Sequence, residues 1–234
     1  MTWIAGVDGC RAGWIRVCRE TRSGELAFDV VESVVELATR PPSPTIVALD
    51  MPIGLTASGP RACDRAARAH LGARRSSVFP APIRAVLAAT SPREASEIGR
   101  QTDGRGVSAQ AYGILDKVRR VDVALRGDLA LRESLCEVHP ELSFWAWNGR
   151  APLCWSKKSP AGHRERLALA ATWLGEDILV RARAKRPRKQ LGDDDILDAI
   201  AALWTAHRIA SGAAETLPEA PQRDEHGLPM RIVF

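Results

Sequence analysis

The amino-acid sequence predicts an α/β fold in which a mixed sheet of five strands is flanked by helices. Three observations predict it. Short apolar runs are concentrated in the first fifty residues, segments with apolar residues at helical spacing follow, and a fifth apolar run returns near residue 135. Short apolar runs bounded by turns are typical of strands, and spacings of three and four residues are typical of helices. We therefore expect one domain over residues 1–234, with a helical insertion at about 53–133 between the fourth and fifth strands.

The first strands are predicted to form an antiparallel hairpin. Residues 3–7 and 14–17 are apolar runs, and the glycine-containing turn at 8–13 joins them. Two such runs around a glycine-rich turn are typical of a hairpin. A third strand is predicted at 26–31, after the turn at Ser23 and Gly24.

A short helix and a buried strand come next. Residues 31–38 carry apolar side chains at helical spacing, and Pro41 and Pro42 end that helix. Residues 45–49 are apolar and begin with β-branched side chains, which predicts a buried parallel strand. This fourth strand ends at Asp50, because Pro52 prevents a regular continuation.

The middle of the chain is predicted to be helical. Residues 61–73 are rich in good helix formers, and residues 108–125 have apolar side chains at helical spacing. Residues 76–82 must be extended, because each proline disfavours helix in the residue before it. The fifth strand is predicted at 135–139 and a further helix at 162–174.

The last strong helix is predicted at 194–209. Asp193 precedes it as the expected N-cap. The tail at 230–234 is apolar and is interpreted as a short edge strand. The last helix therefore lies between the fifth strand and the end of the chain.

Composition argues against several classes of protein. Apolar residues make up 45% and charged residues 26%, which is ordinary for a soluble domain. No apolar stretch reaches the roughly 18 residues of a membrane span, and the N-terminus does not resemble a signal peptide. We therefore expect a cytoplasmic protein with no membrane partner. The net charge of +5 suits a polyanionic partner, and the sequence gives no indication of oligomeric state.

The cysteines do not indicate a disulfide framework or a structural zinc site. There are five, and no two have Cys-x-x-Cys spacing. Cys10, Cys18 and Cys63 are expected to be reduced.

Several aspartates fall where neighbouring elements can bring them together. Asp8 ends the first strand, Asp50 ends the fourth, and Asp195 and Asp198 can point to one side of the last helix. Converging carboxylates raise one another's pKa unless a cation neutralises them, and Mg²⁺ and Mn²⁺ prefer such oxygen ligands. Two such ions about 4 Å apart can activate water and stabilise the leaving oxygen of a phosphodiester. These four aspartates are the predicted ligands of Mg²⁺ or Mn²⁺.

Each acid also has an ordinary structural explanation. Asp8 before glycine can begin a turn, and Asp50 can simply end a strand. Acids in the first turn of a helix complement its dipole, which accounts for Asp195. Asp198 lies in the second turn, where the dipole explains it less well, so it is the stronger candidate of the pair.

Basic residues in predicted loops are candidates for contacting phosphate groups. Arg11, Lys157 and Lys158 can neutralise a nucleic-acid backbone and are the predicted nucleic-acid-binding residues. A run of six cations also precedes the last helix, where it can equally be a solvated turn. That run consists of Arg181, Arg183, Lys185, Arg186, Arg188 and Lys189.

Seven segments spread over nearly the whole chain resemble one known family. They are GVDGCRAGW at 6–14, ALDMPIGL at 48–55, RACD at 61–64, SVFPAP at 77–82, EVHPELSF at 137–144, KK at 157–158 and DDILDA at 194–199. The combination resembles domain of unknown function family 429, described as predicted RNase H-like nucleases. The resemblance implies an RNase H-like fold and an acidic site at Asp8, Asp50, Glu137 and the Asp195/Asp198 pair.

The last helix also resembles that of RuvC-type Holliday-junction resolvases. In those proteins an acidic residue lies three positions before an Asp-Ala pair, which here corresponds to Asp195, Asp198 and Ala199. This chain departs from them at Asp50, where the resolvases use glutamate. This resemblance therefore implies a nuclease function only by analogy.

Glu137 and His139 are further candidates because they alternate along the predicted fifth strand and share a face. With the resemblance, Glu137 is predicted to join the acidic cluster or position water, and His139 to shuttle a proton. The alternative is that both belong to a structural hydrogen-bond network.

The leading functional prediction is a metal-dependent nuclease, a hydrolase of phosphodiester bonds in DNA or RNA. One alternative is a catalytically degenerate RNase H-like module that binds nucleic acid or a protein. Another is an actin-like ATP-dependent phosphotransferase, since the turn at Asp8 and Gly9 resembles the first phosphate loop of those enzymes. They need two copies of the fold, whereas this sequence provides one and has no second glycine-rich adenosine motif.

Overall fold

The computed structural model describes residues 1–183 and 187–234. The described chain forms two compact units. The first consists of residues 1–50, 133–215 and 233–234, and the second of residues 51–132 and 216–232. The single-domain organisation stays a prediction. Lys185 and Arg186 of the basic run lie outside the described residues.

The first unit is built on a mixed sheet. In the described part of the chain, its five strands are β1 (Trp3–Cys10), β2 (Gly13–Glu20), β3 (Leu26–Val31), β4 (Ile46–Leu49) and β5 (Leu135–Glu137). Their order is β3-β2-β1-β4-β5. The β1–β2 and β2–β3 pairs are antiparallel, and the β1–β4 and β4–β5 pairs are parallel. The predicted α/β class and five-stranded mixed sheet are confirmed, and the arrangement is consistent with an RNase H-like architecture.

The helices of the chain are divided between the two units. They are α1 (Glu36–Thr39), α2 (Ala62–Leu71), α3 (Pro92–Asp103), α4 (Ala109–Gly113), α5 (Leu115–Gly127), α6 (Leu129–Ser134), α7 (Pro140–Trp147), α8 (Pro160–Leu174), α9 (Ile178–Arg183) and α10 (Asp193–Ala210). No helix in the described ranges combines the length and apolar character that crossing a bilayer requires.

The central strand β1 is longer than predicted. Its pairing with β2 continues through Asp8, opposite Ile15, to Cys10, opposite Gly13. Asp8 therefore lies inside the strand and not at its end. The two-residue connection between the strands accounts for the difference, because it lets the ladder run up to the turn.

Helix α10 packs closely on the sheet of the first unit. Its buried alanines and Leu203 join the apolar core formed with Ile4 and Ala48. A Cβ atom on Gly6 of β1 would overlap the backbone nitrogen of Leu203 and the backbone oxygen of Ala199. Only glycine at position 6 therefore allows α10 to lie this close to β1.

The start of α10 differs from the expectation by one residue. The helix begins at Asp193, and Gly192 is its N-cap in place of Asp193. The Gly192 N–H donates to the Asp195 carboxylate over 2.8 Å, which is half of a capping box. The predicted Asp193 N-cap is therefore wrong, because Asp193 is the first residue of the helix and the N-cap is a glycine.

The segment after β5 also differs from the prediction. The strand ends at Glu137, and His139 is the N-cap of α7, which the sequence reading missed. Pro140 occupies the first turn of α7, a position that tolerates proline because the missing N–H has no helical partner there.

The second unit is mainly helical and contains a separate two-stranded sheet. Ala109–Gly113 and Leu115–Gly127 are two helices where one was predicted, because the helix is interrupted at Ile114. Residues 72–77 form a 3₁₀ helix, so the extended stretch begins later than expected. The tail pairs as β7 (Pro229–Val233) with β6 (Thr216–Arg223), a strand that two prolines obscure in the sequence.

We predict that Gly6→Ala destabilises the protein strongly. The added methyl group must push α10 away from β1, and overpacking of this kind costs about 1–3 kcal/mol or more. Urea unfolding measures the loss. Gly127→Ala is the control, because a Cβ there meets nothing within 4 Å and the residue ends a helix. Equal stability of the Gly6→Ala protein and the parent would show that the helix does not depend on this approach.

Candidate metal centre

Three aspartates from three elements of the first unit converge. Asp8 lies in β1, Asp50 directly follows β4, and Asp198 lies in the second turn of α10. Each offers a carboxylate oxygen, and these oxygens all lie within 4.8 Å of one another. We call Asp8, Asp50 and Asp198 the aspartate triad.

The sheet positions two members of the triad. Strands β1 and β4 are parallel neighbours, with Val7 opposite Leu49. The Asp50 N–H donates to the Val7 carbonyl over 2.9 Å, which extends the ladder by one residue and brings Asp50 beside Asp8. Parallel neighbours bring their carboxyl ends to the same edge of a sheet, so this part of the prediction has a direct structural basis.

Helix α10 supplies the third member. Its small residues pack against the sheet, and the glycine at position 6 removes the side chain that would hold the helix away. Asp198 is only 4% exposed, so its carboxylate is buried between helix and sheet. The close packing of α10 therefore decides whether the triad exists.

Burial and mutual repulsion disfavour the charged forms of the triad. Burial is the largest cause that raises the pKa of Asp8 well above its usual value, and the charges of Asp50 and Asp198 raise it further. Burial and the charge of Asp198 raise the pKa of Asp50 to about 8. Burial also raises the pKa of Asp198, although Lys157 opposes this. A cation is needed if all three carboxylates are to be charged at neutral pH.

Lys157 is a cation that already contacts the triad. Its Nζ atom lies 2.7 Å from the Asp198 Oδ2 atom and donates a hydrogen bond to it. The Lys157 side chain is 43% exposed, so it reaches the buried carboxylate from solvent. The charges of Asp198, Asp50 and Asp8 all raise the pKa of Lys157. Contact of Lys157 with phosphate stays a prediction.

Asp195 lies outside the triad in the described part of the chain. Its Oδ2 atom accepts the hydrogen bond from the Gly192 N–H. Burial raises the pKa of Asp195, and that hydrogen bond opposes the effect. The structure therefore gives Asp195 a role in closing the helix terminus, and its role as a metal ligand stays a prediction.

Glu137 and His139 lie near the edge of the sheet where the triad forms. Glu137 is 4% exposed and pairs in register with Leu49, one residue before Asp50. Its charge contributes to the raised pKa of Asp50. His139 has left the strand, and its carbonyl accepts hydrogen bonds from the N–H groups of Leu142 and Ser143, each over 2.9 Å. The proposed roles of both side chains stay predictions.

The remaining predicted basic residues are exposed. Arg11 lies in the turn between β1 and β2, and Lys158 follows Lys157 in the loop before α8. In the basic run, the Arg183 Nε atom donates a hydrogen bond to the Asp193 Oδ1 atom over 3.0 Å. The Arg188 Nη2 atom donates to the Asp193 Oδ2 atom over 3.1 Å. These two cations thus pair with the first residue of α10.

Sequence reasoning missed a buried ion pair behind the triad. Arg166 of α8 binds Glu141 of α7, and both side chains are nearly inaccessible. Arg166 has the same spacing as Ala170 and Leu174, which are buried on one face of α8. An arginine on the apolar face of a predicted helix indicates such an ion pair, since arginine is rarely buried without a partner.

The donor set of the triad fits a divalent cation. Carboxylate oxygens from three elements are the hard ligands that Mg²⁺, Mn²⁺ and Ca²⁺ prefer, and they are available here within one small volume. The triad can therefore hold a metal ion.

Comparison with known proteins gives one match. The model of the family described as Protein of unknown function (DUF429) matches residues 6–223. Neither a curated protein nor a solved structure matches the chain. The matched range contains the whole triad and Lys157.

We predict that Asp50→Asn reduces the pH dependence of stability. The pKa of Asp50 is raised in the folded state, so folding retains a proton that the unfolded chain releases between about pH 4 and pH 8. The free energy of unfolding of the parent should therefore fall as pH rises through this window. Relative to the parent, the variant should gain up to about 4 kcal/mol as the pH rises from 5 to 8, since one pKa unit corresponds to about 1.4 kcal/mol.

Urea unfolding in EDTA across this pH range measures the difference. Asp194→Asn is the matched control, since Asp194 is an exposed acid on α10. A difference between the Asp50→Asn variant and the parent that stays constant with pH would contradict the raised pKa.

We also predict that the two acids of α10 have separable roles. Asp195→Ala should lower the free energy of unfolding by about 0.5–2 kcal/mol through loss of the cap, with little change in Mn²⁺ affinity. Asp198→Asn should lower Mn²⁺ affinity by about 10–100-fold or more, because it removes a ligand oxygen from the triad. Calorimetric titration with Mn²⁺ gives both affinities. A larger loss of affinity in Asp195→Ala than in Asp198→Asn would exclude this assignment.

Proposed function

We propose that this chain, which belongs to the family described as Protein of unknown function (DUF429), is a metal-dependent nuclease that hydrolyses phosphodiester bonds in DNA or RNA. The observation that carries the proposal is the aspartate triad, with ligand oxygens within 4.8 Å of one another at one edge of the sheet. Such a set of carboxylates on different elements is what metal-assisted phosphodiester hydrolysis requires.

Asp8, Asp50 and Asp198 are the residues that would hold Mg²⁺ or Mn²⁺. When bound, such an ion lowers the pKa of water and neutralises charge that develops on a phosphoryl oxygen. Burial and mutual repulsion raise the pKa of all three aspartates even though the Lys157 ammonium opposes this at each of them and Arg166 opposes it at Asp198. The unfavourable charge of the three carboxylates therefore favours cation binding.

Other side chains of the first unit complete the proposed site. Glu137 is buried beside β4 and is the proposed residue for orienting a water molecule. His139 follows it and is the proposed group for carrying a proton away. The exposed cations Arg11 and Lys158 would neutralise backbone phosphates of the nucleic acid. The net charge of +5 supports a polyanionic substrate.

A second candidate is a binding module without catalytic activity. The observation that favours it is the 2.7 Å contact between Lys157 and Asp198, which gives one buried carboxylate a partner that needs no metal. In this case the acids would stabilise the fold, and exposed cations would bind nucleic acid or a protein. Salt-sensitive binding with no cleavage in Mg²⁺ or Mn²⁺ would favour this candidate over the nuclease.

We predict that the protein cleaves nucleic acid only with a divalent metal and that Asp8→Asn reduces the rate by at least about 100-fold. Loss of one charged ligand removes several kcal/mol of transition-state stabilisation, which corresponds to a decrease of this size. The assay compares single-stranded, double-stranded and branched DNA with RNA and RNA–DNA hybrids, in Mg²⁺, Mn²⁺ and EDTA.

The control for this assay is Asp194→Asn, which removes an exposed acid from the same helix as Asp198 and should leave cleavage unchanged. Circular dichroism confirms that each variant is folded. Metal-dependent cleavage that persists at the parental rate in Asp8→Asn would rule out the triad as the catalytic centre.

A further inference from the structure

We infer that Lys157 is a built-in cation of the aspartate triad, whose ammonium shares the Asp198 carboxylate with a divalent ion and thereby weakens the binding of that ion. This inference rests on the proposed function, because it concerns the cation content of the same site. It assigns to Lys157 a positioning and charge-balancing role in place of a simple contact with phosphate.

The contact geometry supports a shared carboxylate. The Lys157 Nζ atom binds the Oδ2 atom of Asp198 over 2.7 Å. A carboxylate has two oxygens, so Asp198 can bind the ammonium with one oxygen and a metal ion with the other. The Lys157 side chain is 43% exposed and that of Asp198 only 5%, which puts the ammonium at the solvent side of this carboxylate.

The loop that carries Lys157 is anchored and not simply a flexible surface segment. The buried Arg166 donates to the carbonyl of Trp155 over 3.2 Å and to the carbonyl of Gly162 over 3.0 Å. Arg166 is itself held by the buried carboxylate of Glu141. Trp155 is two residues before Lys157, so the Glu141–Arg166 pair fixes the start of the loop.

Two further contacts hold the same loop against α8. The Glu165 carboxylate accepts hydrogen bonds from the N–H groups of Cys154 and Trp155, over 2.7 and 3.1 Å. A Cβ atom on Gly162 would overlap the carbonyl oxygen of Ser156, so glycine at this position allows the loop to lie directly on the helix. An anchored loop reduces the entropy lost in holding a long lysine side chain at one carboxylate.

The charges around the triad give the direction in which Lys157 acts. The three aspartates repel one another, and the charges of Asp195 and Glu137 add to this repulsion at Asp8 and Asp50. The Lys157 ammonium opposes the repulsion at all three aspartates, so it balances negative charge that a divalent ion at the same carboxylates would otherwise balance. Uncompensated charge of either sign is unfavourable where solvent is largely excluded.

The test is the binding of Mn²⁺ to the full chain at pH 8, measured by isothermal titration calorimetry and by electron paramagnetic resonance of free Mn²⁺. Lys157→Met should bind Mn²⁺ at least tenfold more tightly than the parent, because a like charge next to the ion has been removed. Lys157→Arg keeps the charge and should retain parental affinity.

Lys189→Met is the control, since Lys189 is an exposed lysine in the loop before α10, and it should leave Mn²⁺ affinity unchanged. Thermal unfolding establishes that every variant is folded before titration. Equal or weaker Mn²⁺ affinity in Lys157→Met would overturn the inference even if the protein cleaves nucleic acid. Absence of Mn²⁺ binding in both parent and Lys157→Met would overturn the metal centre itself. Tighter binding in Lys157→Met without cleavage by the parent would support the inference and contradict the nuclease.

Discussion

The close approach of α10 to β1 at Gly6 is the constraint on which the acidic centre depends. A side chain at this position would collide with the backbone of Ala199 and Leu203, one helical turn apart. Asp198 immediately precedes Ala199, so the contact that brings the helix onto the sheet also brings the Asp198 carboxylate to Asp8 and Asp50. Backbone packing and the geometry of the site are therefore set by the same few residues.

The triad is unfavourable for the stability of the metal-free fold. Burial of carboxylates without full compensation is costly, and it raises the pKa of all three aspartates. The Lys157 contact relieves part of this cost at Asp198. Carboxylates whose pKa values are raised by burial and by one another are candidates for a functional site, and these three could hold a cation.

The sequence predicted those features of the site that depend on local position. Asp8 and Asp50 lie at or near the ends of apolar runs, and parallel pairing of their strands brings such residues together. Asp198 was preferred over Asp195 because it lies beyond the first helical turn, and the capping contact of Asp195 agrees with that reasoning. The partner of Lys157 was not predictable, because residues 157 and 198 meet only through the packing of α8 against α10.

The errors in the fold have similar causes. Helix α7 was missed because most of its residues are apolar or aromatic and its polar residues Glu141 and Ser143 are buried as well, so no amphipathic period marks it. Strand β6 was missed because it contains two prolines and mostly exposed residues. In both cases tertiary contacts, and not local propensity, determine the structure.

A crystal structure of the protein soaked in Mn²⁺ would decide whether the triad is a metal centre, since anomalous scattering locates the ion independently of activity. We expect Mn²⁺ to be bound by carboxylate oxygens of Asp8, Asp50 and Asp198, with the Lys157 ammonium still at Asp198. Absence of Mn²⁺ from the triad in a crystal that binds the ion elsewhere would contradict this expectation.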